Sequence, residues 1–355
     1  MLVYYILILL IAILGIVFRE NKKMFFVLSG ILIFAVIGLR SPSVGNDTKR
    51  YLDMYIYRTE YYIDYFKTTT FDKILLNDYL YFFYSSILLN IGVNTQTFLI
   101  ISAAMVTILT CFIYYKYSDI PFICILSFLS IGLFTFYLSA LRQGIAVAII
   151  ALSYKYIIEK KPAHFIVTVL IASGFHLTAI VFLPAYFIVV FMEKKSLVKF
   201  SIVFSIGCVL IIGIFYSAIY QLDISPRFSK YLSDDIVRTK PIVVAMYALI
   251  IALSILIYEF NTETYNSHDK VFFVLSVVGL GIMILSLQNT IISRFSYYYL
   301  LCLPVVIVNS ISKVKDGKEQ MIYSLACFEV ELLYFYYTVP HSILMISDYR
   351  FFWQQ

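Results

Sequence analysis

Apolar residues run along this chain in long unbroken stretches separated by short polar connectors. A helix needs about 20 apolar residues to cross about 30 Å of hydrocarbon. Stretches that reach or approach that length are 2–18, 24–39, 97–115, 120–138, 143–158, 198–219, 242–258, 271–288, 295–311 and 321–338. The pattern predicts an all-α, polytopic integral membrane protein of roughly 10–12 transmembrane helices, since only helices satisfy the backbone within one lipid-exposed segment. Residues 1–355 are read as a single membrane domain with outer loops at 40–96 and 220–241. The stretch at 2–18 lacks the basic start and small-residue cleavage site of a signal peptide and is read as the first helix.

Three stretches carry finer expectations. Residues 79–91 are apolar but short and end at Gly92, which predicts an interfacial or re-entrant piece. Residues 163–192 would span about 45 Å as one helix, long for one crossing and short for two. Gly174 and Pro184 offer breaks, so a shallow helical hairpin bending near His176 is expected. In 47–67, Tyr51, Tyr55, Arg58, Tyr62 and Tyr65 share one helical face, and Asp53, Tyr57, Glu60, Asp64 and Lys67 another. That spacing predicts an amphipathic helix in the outer interface, its tyrosines forming an aromatic belt or stacking on sugars.

Composition agrees. Hydrophobic residues make up 62% and charged residues 14%, against about 25% charge in soluble domains. Too little polar surface remains to cover a water-soluble globule. The net charge of +6 is ordinary for a membrane protein and gives no reason to expect nucleic acid. Cys111, Cys124, Cys208, Cys302 and Cys327 lie in apolar stretches without CxxC spacing and are read as small core residues.

Orientation follows from lysine. With the first residue outside, 13 of 18 Lys fall on inner connectors, including Lys22-Lys23, Lys160-Lys161 and Lys194-Lys195. Eight of nine Arg fall on the outer side, all but Arg19. Arginine offers a planar fork that matches phosphate oxygens in pairs, where lysine is a point charge. Arginine on the disfavoured side points to an anionic ligand there; lipid-headgroup snorkelling is the plainer alternative. Arg227 belongs to this outer set, in the 220–241 loop among Asp223, Asp234 and Asp235.

Four pieces, RSPSVGNDTKRY at 40–51, LRQGIA at 141–146, GFHLTA at 174–179 and SRF at 293–295, resemble in sequence and order the EpsG family of bacterial polysaccharide polymerases, a branch of the Wzy-type O-antigen and capsule polymerases. The resemblance implies a membrane glycosyltransferase joining undecaprenyl-pyrophosphate-linked oligosaccharide repeats, its active site on the outer face of the bacterial plasma (inner) membrane. It implies membrane lipid as surroundings, and a chain-length regulator and a flippase as neighbours in the pathway.

In such a reaction the leaving group already carries pyrophosphate charge, so the main task is to hold that anion as the glycosidic bond breaks. Arg142 interrupts an apolar stretch from 120 to 154 that holds no other formal charge. Burying arginine in a bilayer costs about 2.5–3.5 kcal/mol on insertion scales, so such residues tend to face a cavity. Arg40 and Arg294 lie at outer ends of stretches and join Arg142 as expected pyrophosphate ligands, with Gln143, Tyr51 and Arg227 as further substrate contacts. A histidine suits proton removal from the acceptor hydroxyl near neutral pH. His176 alone among four falls at a break in membrane-embedded helix. A core histidine satisfied by its neighbours is the alternative. Asp47 is the other candidate base, or the N-cap of the tyrosine-faced helix.

No outward DxD appears, and no metal or other cofactor is expected. Glu329 and Glu331 stand two residues apart in the last apolar stretch and so face different sides, which keeps a proton-coupled transporter in view. A flippase of lipid-linked oligosaccharide predicts two-fold internal repeats, which are not seen. A membrane ligase or acyltransferase would use the same His and Arg.

Overall fold

Connector residues start the helices. Asn21 and Asn94 accept the Met24 and Thr97 amides at 3.0 and 2.8 Å, and Pro121, Pro162, Pro241 and Pro304 occupy first-turn positions that need no donor. The structure, a computed structural model, describes residues 1–57, 59, 78–193, 195–219, 238–262, 265–340 and 344–354. The helices are α1 (Leu2–Val17), α2 (Lys22–Gly38), α3 (Thr48–Tyr57), α4 (Tyr79–Asn90), α5 (Thr95–Tyr117), α6 (Pro121–Ser130), α7 (Leu133–Ser139), α8 (Leu141–Leu152), α9 (Tyr154–Ile158) and α10 (Pro162–Phe175). After a 3-10 segment, Leu177–Phe182, come α11 (Pro184–Met192), α12 (Leu197–Ile219), α13 (Pro241–Asn261), α14 (Ser267–Leu285), α15 (Thr290–Leu300), α16 (Leu303–Ser312) and α17 (Gly317–Thr338). No strand forms among the described residues, and the chain is an all-α polytopic membrane protein.

Among the described residues, fewer single helices reach membrane-crossing length than there are apolar runs. Among the described residues α5, Leu141–Ile158, α13 and α14 are each long and apolar enough to cross a membrane. Counting the bent pairs α6–α7 (52°) and α15–α16 (49°) as one span each gives six. Apolar runs ignore breaks in the backbone: Gly132, at φ 89°, divides α6 from α7, and α1 stops after 16 residues.

The helices group into two compact units, residues 1–183 with 321–355, and residues 184–320. In the first, α2 and α5 run antiparallel, joined at one end by Gln96 Nε2 donating to the Gly38 carbonyl (2.9 Å) and at the other by Lys22 Nζ donating to that of Ser118 (2.6 Å). Lys155 and Lys161 flank Glu159 at this second end, near Tyr117. Arg40 stands just past α2, at the first end.

Residues 39–46 are sewn to residues 344–352 by main-chain hydrogen bonds. The amides of Ser41, Gly45 and Asn46 donate to the carbonyls of Arg350, Met345 and Leu344 at 2.8, 3.1 and 2.9 Å, and that of Phe352 to Leu39 at 2.9 Å. Gly45 is required where it stands. Its φ is 87°, and a Cβ there would collide with the Leu138 carbonyl oxygen. Gly45→Ala is therefore expected to lower both accumulation and the thermal midpoint in detergent, with about 1–3 kcal/mol from the left-handed backbone alone. An unchanged midpoint would mean the loop is not clamped against Leu138.

Packing fills in two of the expected segments. In α3, Tyr51 and Tyr55 face inward while Asp53 and Tyr57 are exposed, as the spacing predicts. The inward face meets protein, however, not the lipid interface. Tyr55 stacks on Phe98 (centroids 4.1 Å) and donates to the Val93 carbonyl (2.7 Å). Arg58, Tyr62 and Tyr65 lie outside the described residues. The short stretch at 79–91 is α4, whose Tyr81 and Phe82 join the same core.

The bend at His176 is present. Its backbone is extended (φ −156°, ψ 114°), ending α10, and the chain turns back so that Phe182 reaches Phe165 (centroids 5.9 Å) and Tyr154 (6.2 Å).

Candidate active site

Gly174 lets α4 approach α10. A Cβ there would sit 2.6 Å from Leu80 Cδ1. This contact sets Asp78, the residue before α4, beside the bend at His176. Asp78 has a left-handed backbone (φ 51°, ψ 41°), which aspartate tolerates better than most residues. Its Oδ1 accepts the Leu177 amide at 2.8 Å. Its Oδ2 accepts Arg142 Nη1 at 2.9 Å and lies 3.5 Å from His176 Nδ1. The latter distance is an ion-pair spacing, too long for a good hydrogen bond.

Arg142 is in the first turn of α8, just after the break at Ala140. Its guanidinium lies over the rings of Tyr51 (5.2 Å) and Tyr81 (5.4 Å), a geometry that favours a planar cation. The Arg142 and Asp78 side chains are 17% and 13% exposed, so the pair is largely out of water yet reachable. Arg142 Nε, His176 Nδ1 and Tyr81 Oη have no hydrogen-bond partner although each is buried. Such atoms cost free energy unless a bound group satisfies them.

Three expected site residues meet in this region, Arg142, His176 and Tyr51, while Gln143, next to Arg142 on α8, is buried. Asp47 stands half-exposed at the start of α3, its carbonyl accepting the Tyr51 amide at 3.0 Å. Its neighbour Asn46 accepts Ser139 Oγ at 2.5 Å, and Thr48 Oγ1 donates to Val44 (2.7 Å) and sits 3.3 Å from the Leu138 carbonyl. The loop thereby packs into the break before Arg142.

Arg40 differs from expectation. It has no exposed surface; Nη1 donates to the Ile37 carbonyl, and Nη2 lies 3.5 Å from Thr48 Oγ1. Burial pulls its guanidinium down to about 10, partly opposed by Tyr349 and Tyr4, so it remains charged at neutral pH. Arg294 lies half-buried on α15 of the second unit, near Tyr297. Arg227 is outside the described residues. Glu331 is buried and accepts Cys327 Sγ at 3.5 Å, while Glu329 is exposed, which places the two on different faces as their spacing predicts. No three His, Cys, Asp or Glu side chains gather as a metal would require among the described residues.

Asp78, which joins Arg142 to the bend at His176, is the member of this cluster that sequence reasoning missed. The available signal was a carboxylate directly before an apolar run too short to span a membrane.

Neither a curated protein nor a solved structure matches the chain. The EpsG family matches residues 23–351, a stretch that takes in 40–51, 141–146, 174–179 and 293–295 and nearly every helix, and this chain accordingly belongs to the EpsG family, as a polysaccharide polymerase-like membrane protein.

Proposed function

We propose that the chain joins undecaprenyl-pyrophosphate-linked oligosaccharide repeats on the outer face of the bacterial plasma membrane, in O-antigen, capsule or exopolysaccharide synthesis. The observation that carries this reading is the meeting of Arg142 and His176 at one carboxylate, each with an unpartnered nitrogen. The acceptor hydroxyl gives its proton to the imidazole of His176 as its oxygen bonds to the anomeric carbon. The bond from that carbon to the pyrophosphate oxygen breaks, and its electron pair stays on the lipid pyrophosphate. Arg142 holds the negative charge of that leaving group. With an anionic leaving group and a fixed cation, the reaction needs no metal.

Tyr51, whose ring lies under the Arg142 guanidinium, and Gln143 are proposed as substrate contacts, and Asp47 serves the acceptor side. Arg294 and Arg227 are proposed as further ligands of the anionic substrate. Arg40, lacking exposed surface, is reassigned to holding the 39–48 loop.

The test is the lipid-linked intermediate left in a deletion strain. A polymerase defect leaves single repeats on lipid at the outer face, open to a membrane-impermeant glycosidase. Repeats protected on the inner side would mark a flippase and overturn the proposal.

A further inference from the structure

Asp78 touches two groups that the proposed reaction uses in turn. The Leu177 amide anchors Oδ1 at 2.8 Å, leaving Oδ2 as the shared atom, 2.9 Å from Arg142 Nη1 and 3.5 Å from His176 Nδ1. As the side chains stand, the short charge-assisted bond goes to Arg142, and His176 Nδ1 has no hydrogen bond. A pyrophosphate offers that guanidinium two parallel acceptors and more charge than one carboxylate oxygen.

We propose that donor pyrophosphate draws Arg142 away from Asp78, so that Oδ2 passes to His176 Nδ1 and the base is readied only when the donor is seated. This inference rests on the polymerase reading above. With Nδ1–H donated to Asp78, the imidazole presents Nε2 as the acceptor for the hydroxyl proton, as a carboxylate orients the histidine of a catalytic triad. Asp78 is then a positioning residue that need touch neither sugar. Its anchor suits the task, because the Leu177 amide follows His176 directly in the chain and fixes both residues in one frame.

The experiment measures steady-state kcat and donor KM for the full chain in lipid nanodiscs, with a synthetic undecaprenyl-pyrophosphate repeat unit as donor. Asp78→Asn keeps side-chain size, an acceptor for the Leu177 amide and tolerance of the left-handed backbone, and replaces the charged shared acceptor Oδ2 with an amide donor that neither Arg142 nor Nδ1–H can use. The expected result is a fall in kcat of about 10²–10⁴-fold, with donor KM unchanged or lower because Arg142 has lost its competitor. Wild-type kcat, or a raised donor KM, would overturn the exchange. If the asparagine variant does not accumulate, the size-matched pair Asp78→Glu and Asp78→Gln replaces it. Higher kcat in the glutamate variant supports the proposal, and equal kcat overturns it. His176→Gln distinguishes the two levels of argument. Wild-type turnover in that variant defeats the base assignment itself, whereas its inactivity beside a fully active Asp78→Asn defeats the exchange alone.

Discussion

His176→Gln is expected to leave almost no polymer while single lipid-linked repeats build up, at a normal level of protein. Glutamine has similar reach and polarity but cannot take a proton near neutral pH, and general base catalysis is worth about 10²–10⁴-fold. The fold has little to lose. The imidazole is 23% exposed, and its Nδ1 makes no hydrogen bond. The main-chain amide of residue 176 closes α10 on the Ala172 carbonyl (3.0 Å) whatever side chain it carries. Polymer ladders on gels and mass spectrometry of the lipid-linked pool give the readout. A wild-type ladder at normal protein level would exclude His176 as the base.

Arg142→Lys is expected to cost polymerisation about 10²–10³-fold, the range seen when one preorganised donor to a developing anion is removed. Lysine keeps the charge and still reaches Asp78, so the variant should insert and accumulate. It loses the planar fork for pyrophosphate and the stacking between Tyr51 and Tyr81. If Arg142 merely snorkelled to headgroups, lysine would replace it with little effect. The same ladder assay, normalised to protein level, decides between the two, and full activity would remove Arg142 from the mechanism.

Much of this site is legible in the sequence, because two of its parts break apolar runs. A formal charge at Arg142 and the Gly174–His176 sequence both stand out where lipid should demand uninterrupted helix. Membrane character and helical class follow from the same runs. The number of spans does not. A run of apolar residues looks continuous across Gly132, yet the backbone turns there, and the bend of 52° is set by packing that no run length records.

Asp78 was hidden for a different reason. A single aspartate in a polar outer segment looks ordinary, and its partners Arg142 and Leu177 lie 64 and 99 residues away. Only the fold joins them. Arg40 shows the converse: it stands beside Pro42 and Ser43 in a segment that reads as an outer loop, yet it is fully buried where residues 344–352 pair with that loop.

That pairing has a consequence for biosynthesis. The 39–46 loop takes its backbone partners from residues 344–352, about 300 residues downstream. At 5–20 residues per second, it waits on the order of 15–60 s after translation before those partners exist. Through that interval the loop can reach Leu138 and Ser139 but not its main-chain partners. Synthesis of the membrane helices and completion of this loop are therefore separate events in the life of the nascent chain. A chain cut before residue 344 would hold the sequence of every helix from α1 to α17 and still lack the partners of the 39–46 loop.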